Sequence, residues 1–153
     1  MSDAAVTRAR AGATRSAFAL GLAWLPVLAW LALIFVLSSL PDEHGGLDVG
    51  KGVPKLAHLA EYGILGLLVA RAVTQRGGPL VDRRTLLPLL AIALYAVSDE
   101  LHQAFVPDRT PAVTDVAIDT LGGLLGMVGW RLLARRRAGL EGEPARGPAV
   151  PPP

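Results

Sequence analysis

The side chains able to do chemistry gather in three short stretches of the sequence. Lys55, His58, Glu61 and Tyr62 form the first. Asp99, Glu100, His102 and Gln103, with Arg109 shortly after, form the second, and Asp115 and Asp119 the third. The carboxylates of Glu100, Asp115 and Asp119 suit general acid or base work or a divalent cation, and His58 and His102 can move a proton near neutral pH. Lys55 and Arg109 can hold a phosphate or carboxylate, the arginine in bidentate fashion.

Helical spacing would put most of these groups on stripes. At about 100° per residue, Lys55, His58 and Tyr62 lie within about 60° of arc, with Glu61 at the border. Asp99, His102 and Gln103 make a second stripe, with Glu100 beside it. Asp115, Asp119, Gly122, Gly126 and Gly129 make a third, whose small residues at a four-residue spacing suit close helix packing. That packing would turn Asp115 and Asp119 inward.

The elements that carry these stripes belong to a membrane. The 153 residues are 52% apolar before glycine is counted, and the 17 glycines bring the share to about 63%, against the roughly 45–50% of soluble domains. Only 18% are charged, and the mean hydropathy is +0.43. A disordered chain, a disulfide scaffold and an ordinary soluble domain are all disfavoured. The absence of cysteine excludes disulfides, thiolate-bound metal and a cysteine nucleophile.

No residue from Ser16 to Pro41 is charged, a run of 26 residues, where about 20 cross a bilayer. It is too long for the apolar part of a cleaved signal peptide. The first span is read as Ala17–Leu40, with Pro26 as a candidate kink. The others are read as Lys55–Ala72, Leu86–Phe105 and Asp115–Leu133, with Gly77-Gly78-Pro79 as the turn between the second and third. The sequence thus predicts an all-α bundle of four transmembrane helices over residues 16–137. A basic segment, 1–15, precedes it, and a Gly- and Pro-rich tail, 138–153, is expected to be disordered.

Twelve arginines (positions 8, 10, 15, 71, 76, 83, 84, 131, 135, 136, 137 and 146) fall on one side of this arrangement, against Lys51, Lys55 and Arg109 on the other. Basic residues favour cytoplasmic loops, so both termini are expected in the cytoplasm and the chain in the cell membrane. The same asymmetry explains the isoelectric point near 9.5 without a nucleic-acid partner. It also puts all three polar stripes at one outward-facing end. A charge at the centre of a membrane helix costs about 2.5–3.5 kcal/mol, less near the interface, so several together call for a reason. The expectation is a polar pocket open to the outer face. The rival reading for each residue is structural: Lys55 snorkelling, His58 in an interhelical hydrogen bond, Asp115 as a helix cap, and the glycines as packing alone.

Three motifs together resemble the VanZ-like family of small bacterial membrane proteins. The first is Leu37-Ser38-Ser39-Leu40-Pro41. The second is Lys55-x-x-His58-x-x-x-Tyr62 with Leu65-Gly66 following. The third runs from Ser98-Asp99-Glu100 through His102-Gln103-x-Phe105-Val106-Pro107-x-Arg109 to Asp115-x-x-x-Asp119-x-x-Gly122. The ordered set, covering about Val36 to Gly126, is far more specific than any piece. The family often has Asp where this chain has Pro54 and Gly where it has Asp108.

The resemblance implies a polytopic membrane protein related to one that raises resistance to glycopeptides, teicoplanin above all. It brings no settled mechanism. Three functions stay open. The pocket could bind an envelope lipid, a lipid-linked precursor or a glycopeptide, using Lys55, Tyr62, Asp99, His102, Gln103, Arg109 and Asp115. A hydrolase or transferase acting on an envelope lipid could use Glu100, His58 and Asp119 as catalytic groups. A proton- or cation-coupled carrier is the third, though the charges sit at one end and no inverted repeat is present. No cofactor is required by the sequence, and a divalent cation at the carboxylates remains open. The bilayer is the expected partner, and homo-oligomerisation is left open.

Overall fold

The computed structural model describes residues 3–41, 52–73 and 82–141. Four helices follow one another: α1 (Asp3–Ser38), α2 (Gly52–Val73), α3 (Arg83–Gln103) and α4 (Val113–Glu141). No strand occurs among the described residues. Each helix contains a segment long and apolar enough to cross a membrane: Gly21–Ser38, Lys55–Val73, Thr85–Gln103 and Val113–Gly139.

The predicted spans are all present, with shifted ends. α1 begins at Asp3, so the basic segment expected to precede the bundle is largely helical. Pro26 is accommodated inside α1, as membrane helices allow. α3 ends at Gln103 rather than Phe105; the chain turns at Ala104, whose N–H still bonds the Glu100 carbonyl. α4 runs through Ala138 to Glu141, into the segment expected to lack structure. The Gly77-Gly78-Pro79 turn and the tail beyond Glu141 lie outside the described residues.

Side-chain bonds between helix ends set the directions. Ser38 at the end of α1 meets Asp99 near the end of α3. His58 near the start of α2 meets Asp119 near the start of α4. Asp82, before α3, meets Arg131 late in α4. α1 and α3 therefore run one way, and α2 and α4 the other.

The parallel pair α2 and α4 makes the most extensive contact, and glycine is the reason. A Cβ on Gly126 would collide with the Gly63 carbonyl, one on Gly66 with the Gly123 backbone, and one on Gly122 would lie 2.5 Å from the Leu59 carbonyl oxygen. Only glycine permits this approach, the small-residue logic of membrane helix packing. The predicted stripe is partly corrected here. Gly129 meets nothing within 4 Å of a Cβ, and Gly63, Gly66 and Gly123 belong to the seam instead. Gly129 therefore lies off the contact line with α2.

The core is small: Val27, Ile34, Tyr62, Leu65, Val69, Ile92, Ala96 and Met127 are buried, with Trp30 and Tyr95 packed against them. Two aromatic donors cross between helices. Trp30 Nε1 donates to the Glu61 carbonyl at 2.9 Å, and the Tyr95 hydroxyl to the Leu31 carbonyl at 2.7 Å. Outside, Leu87, Leu90, Leu94, Val97 and Leu101 form an exposed stripe along α3. In water such a stripe would be a liability; in lipid it is the required surface.

Candidate functional site

The ends of α1 and α3 and the starts of α2 and α4 meet at one end of the bundle. Glycine packing of α2 on α4 brings His58 against Asp119, with Nδ1 and Oδ1 3.2 Å apart. Asp119 is completely buried. Its second oxygen, Oδ2, has no hydrogen-bond partner among the described residues.

α3 contributes the next layer. Asp99 Oδ2 accepts from Ser38 Oγ at 2.9 Å and from Gln103 Nε2 at 3.1 Å. Glu100 Oε2 accepts the Ala112 N–H at 2.7 Å, which ties the α3–α4 connection to α3. Asp99 Oδ1 and Glu100 Oε1 are buried without partners among the described residues, as is the Tyr62 hydroxyl. One potential ligand atom from each of His58, Glu100 and Asp119 lies within 4.8 Å of the other two. Tyr62, wholly buried, lies within electrostatic reach of Asp99, Glu100 and Asp119. A buried charge left unpaired costs several kcal/mol even after relaxation, so this end is stocked with acceptors that its own donors do not satisfy.

The predicted residues divide into an inner and an outer set. His58, Tyr62, Asp99, Glu100, Gln103 and Asp119 converge. His102 sits at the rim, stacked on Phe35 with ring centroids 4.6 Å apart. Its Nε2 is 2.9 Å from Ser39 Oγ, whose own hydrogen goes to the Phe35 carbonyl at 2.6 Å. His102 must therefore be the donor in that pair. Glu61 is half-buried and within electrostatic reach of His58. Lys55 is exposed at the start of α2, so a shared helical arc does not bring it into the pocket.

The rival reading of Asp115 as a helix cap does not hold. α4 begins at Val113, and Asp115 lies in its first turn, donating its N–H to the Ala112 carbonyl. Its side chain accepts from Thr114 at 3.3 Å. It is half-exposed at the mouth, close enough to interact with Glu100.

Arg109 sits on the rim, its Nε donating to the Leu40 carbonyl at 3.4 Å, a long contact that leaves most of its donors for other partners. Asp108 before it has φ of 63°, in the left-handed region that glycine enters most readily and Asp tolerates better than most. That conformation is the one in which the resemblance leads glycine to be expected, and Asp108 adopts it just before Arg109.

Sequence reasoning missed Ser38 and Ser39 as site partners. Their signal was polar residues ending an otherwise apolar run, and their role emerges only where α1 crosses α3. It also missed Arg131, which was counted as a topology signal. Arg131 is buried at the opposite end and donates to Asp82 Oδ1 at 3.0 Å. Asp82 caps α3 through Thr85 as well. Partial burial pushes the Asp82 carboxyl up, but the bonds from Arg131 and Thr85 outweigh it and hold the group below its ordinary value.

Beside the polar cluster a cleft of about 390 Å³ opens between α3 and α4. Val97, Leu101, Ala104, Pro111, Val113 and Val116 line it, and Glu100 is its ionisable group. A second, apolar cavity of about 290 Å³ lies between α1, α2 and α3, away from the carboxylates.

Residues 23–134 match the VanZ/LLP1 family, from the first span into the fourth. No curated protein and no solved structure matches the chain. The matched region takes in both the glycine seam and the whole polar cluster, and the chain belongs to the VanZ/LLP1 family.

Proposed function

We propose that the polar end of the bundle faces outward and binds an anionic lipid of the cell envelope, either a membrane lipid or a lipid-linked precursor. The observation that carries this reading is the continuity of two unlike surfaces at Glu100. One of its faces belongs to the buried polar cluster; the other lines an apolar cleft between α3 and α4. A headgroup and a hydrocarbon chain need those two environments side by side. Arg109 at the rim supplies a fork of donors for a phosphate or carboxylate, and Lys55 a second, more mobile charge.

The orientation follows from the arginine asymmetry, which puts both termini in the cytoplasm. On this reading a contribution to glycopeptide resistance would act through access to a lipid-linked precursor.

The test is retention of envelope lipids by the protein in nanodiscs, followed by mass spectrometry. Arg109→Ala is expected to weaken retention by about 1.5–3 kcal/mol, the range for hydrogen bonds to charged groups. Ala104→Trp, which fills the cleft without changing charge, is expected to abolish it. Equal retention by the parent protein and both variants would sink the proposal. A second reading, a membrane-embedded hydrolase or transferase, draws on the His58–Asp119 contact beside Glu100, an orienting carboxylate on a candidate base. A new lipid product formed by the parent protein and lost in Glu100→Gln would establish it.

A further inference from the structure

We propose that His58, Glu100 and Asp119 form a site for a divalent transition-metal cation of the zinc or manganese class. It deepens the preceding reading and rests on it only for the ligand that completes the coordination shell.

The donor set comes first. One imidazole nitrogen and two carboxylates, drawn from α2, α3 and α4, lie with ligand atoms inside 4.8 Å. Imidazole selects zinc and its neighbours, while carboxylate oxygens also suit manganese; the mixed set disfavours a purely oxygen-seeking ion. Two ligands about 2.1 Å from one ion stand at most about 4.2 Å apart. The widest separation therefore has to close by somewhat more than half an ångström. Glu100, the longest side chain of the three, can supply that movement. The His58 Nδ1–Asp119 Oδ1 spacing of 3.2 Å already matches adjacent ligands on one ion.

A separate observation points to an occupant. Asp119 is 0% exposed and Glu100 6%, yet Asp119 Oδ2 and Glu100 Oε1 have no partner among the described residues. Buried carboxylate oxygens normally take two or more donors or a metal. The charge around them makes the deficit worse. Asp99, Asp115 and Asp119 all act on one another or on Glu100 and His58, and Glu61 adds to them. The rim arginine bonds a backbone carbonyl rather than any of these carboxylates. A divalent ion would offset this excess, and with Asp119 bidentate it would engage the orphan Oδ2 together with Oδ1.

Three protein ligands leave at least one coordination position open, the hallmark of a site that also takes water or an exogenous ligand. Because Glu100 also lines the apolar cleft, a phosphate oxygen of a lipid seated there could fill it. That arrangement explains how a pocket rich in carboxylates could hold an anion: the cation lies between them.

The experiment uses the full chain, stripped with chelator and reconstituted in plain phosphatidylcholine nanodiscs. Zn²⁺ and Mn²⁺ are titrated separately and counted by elemental analysis. The expected result is one ion per chain. His58→Gln, Glu100→Gln and Asp119→Asn should each lower affinity by more than the roughly 10–100-fold that loss of an outer-shell partner costs. Ser98→Ala, an exposed site on α3, should leave it unchanged. Bound Mn²⁺ should show nitrogen hyperfine coupling that disappears in His58→Gln, a signature that folding alone cannot produce. Should Asp119→Asn fail to fold, Glu100→Gln and the nitrogen signature decide the matter. Uptake by the parent protein no greater than by the triple variant overturns the site. Metal uptake without retention of any envelope lipid keeps the cation site and overturns the headgroup reading. Lipid retention with no metal uptake does the reverse.

Discussion

At one end of the bundle Arg131, buried in α4, reaches Asp82, and Asp82 also receives the backbone N–H and hydroxyl of Thr85. At the other end His58 reaches Asp119, while Asp99, Glu100 and Asp119 each keep an oxygen without a partner among the described residues. Both ends put ionisable groups at the edge of a membrane-spanning segment. The first matches charge with charge and closes a helix cap. The second carries more acceptors than donors and borders a cleft. Structural glue is expected to be balanced; a binding site keeps capacity in reserve.

The comparison can be broken or sharpened by mutation. The largest effect is expected at the seam that supports the acidic end. Gly126→Val drives a side chain into the Gly63 backbone and should cost at the upper end of the roughly 1–3 kcal/mol typical of overpacking, or more. Its reach should be uneven. The His58–Asp119 contact crosses α2 and α4 and should be lost, whereas Asp82–Arg131 crosses α3 and α4 and should survive. Site-specific infrared or crosslinking probes at the two ends would tell; equal loss at both would mean the ends are not separately supported.

Charge removal comes next. Arg131→Met strips a buried partner from Asp82, so it should lower the unfolding temperature of the purified protein clearly. Asp119→Asn removes a buried charge that lacks full compensation, and stability should stay within about 1 kcal/mol of the parent or rise. The same substitution should abolish ligand or cation uptake. A large loss of stability in Asp119→Asn with uptake intact would make the acidic cluster structural after all.

A pH dependence of smaller size should separate the ends further. The Asp82 carboxyl lies below its ordinary value in the fold. Its contribution to stability is therefore full above the unfolded value of 3.8 and lost as pH falls through the lower, folded value. Thermal unfolding followed downward from pH 5 should show a loss of stability below about pH 4 that Arg131→Met does not share. A parallel fall in both proteins would mean the pair is not the titrating element.

The smallest effect is expected at Asp108. Its φ of 63° favours glycine, so Asp108→Gly should leave stability within about 1 kcal/mol of the parent and preserve lipid retention through Arg109. Weaker retention would show that the Asp108 carboxylate itself belongs to the rim.

Much of the fold was legible because membrane helices announce themselves by length and apolarity. The four spans, and the placing of His58, Asp99, Glu100 and Asp119 at one level, follow from where each polar residue falls in its run. Boundaries were less legible. The arginines after Leu133 look like the end of a span, yet α4 continues to Glu141 because the helix does not need lipid to persist. Pairing was not legible at all. Nothing in the sequence near Ser38 names Asp99, 61 residues away, and nothing near Arg131 distinguishes it from the topology arginines that follow.

The sequence by itself determined the class of protein, its segments and the chemical inventory at one end, since those depend on composition and period along a single chain. Only the tertiary structure decided which of those groups would act together. Lys55 shares a helical arc with His58, yet it stays at the surface while His58 meets Asp119. The physical reason is the glycine seam: backbone contact at Gly63, Gly66, Gly122, Gly123 and Gly126 sets the rotation of α2 against α4. That rotation determines which residues near the start of each helix face inward, and so which carboxylates keep an oxygen unmatched among the described residues.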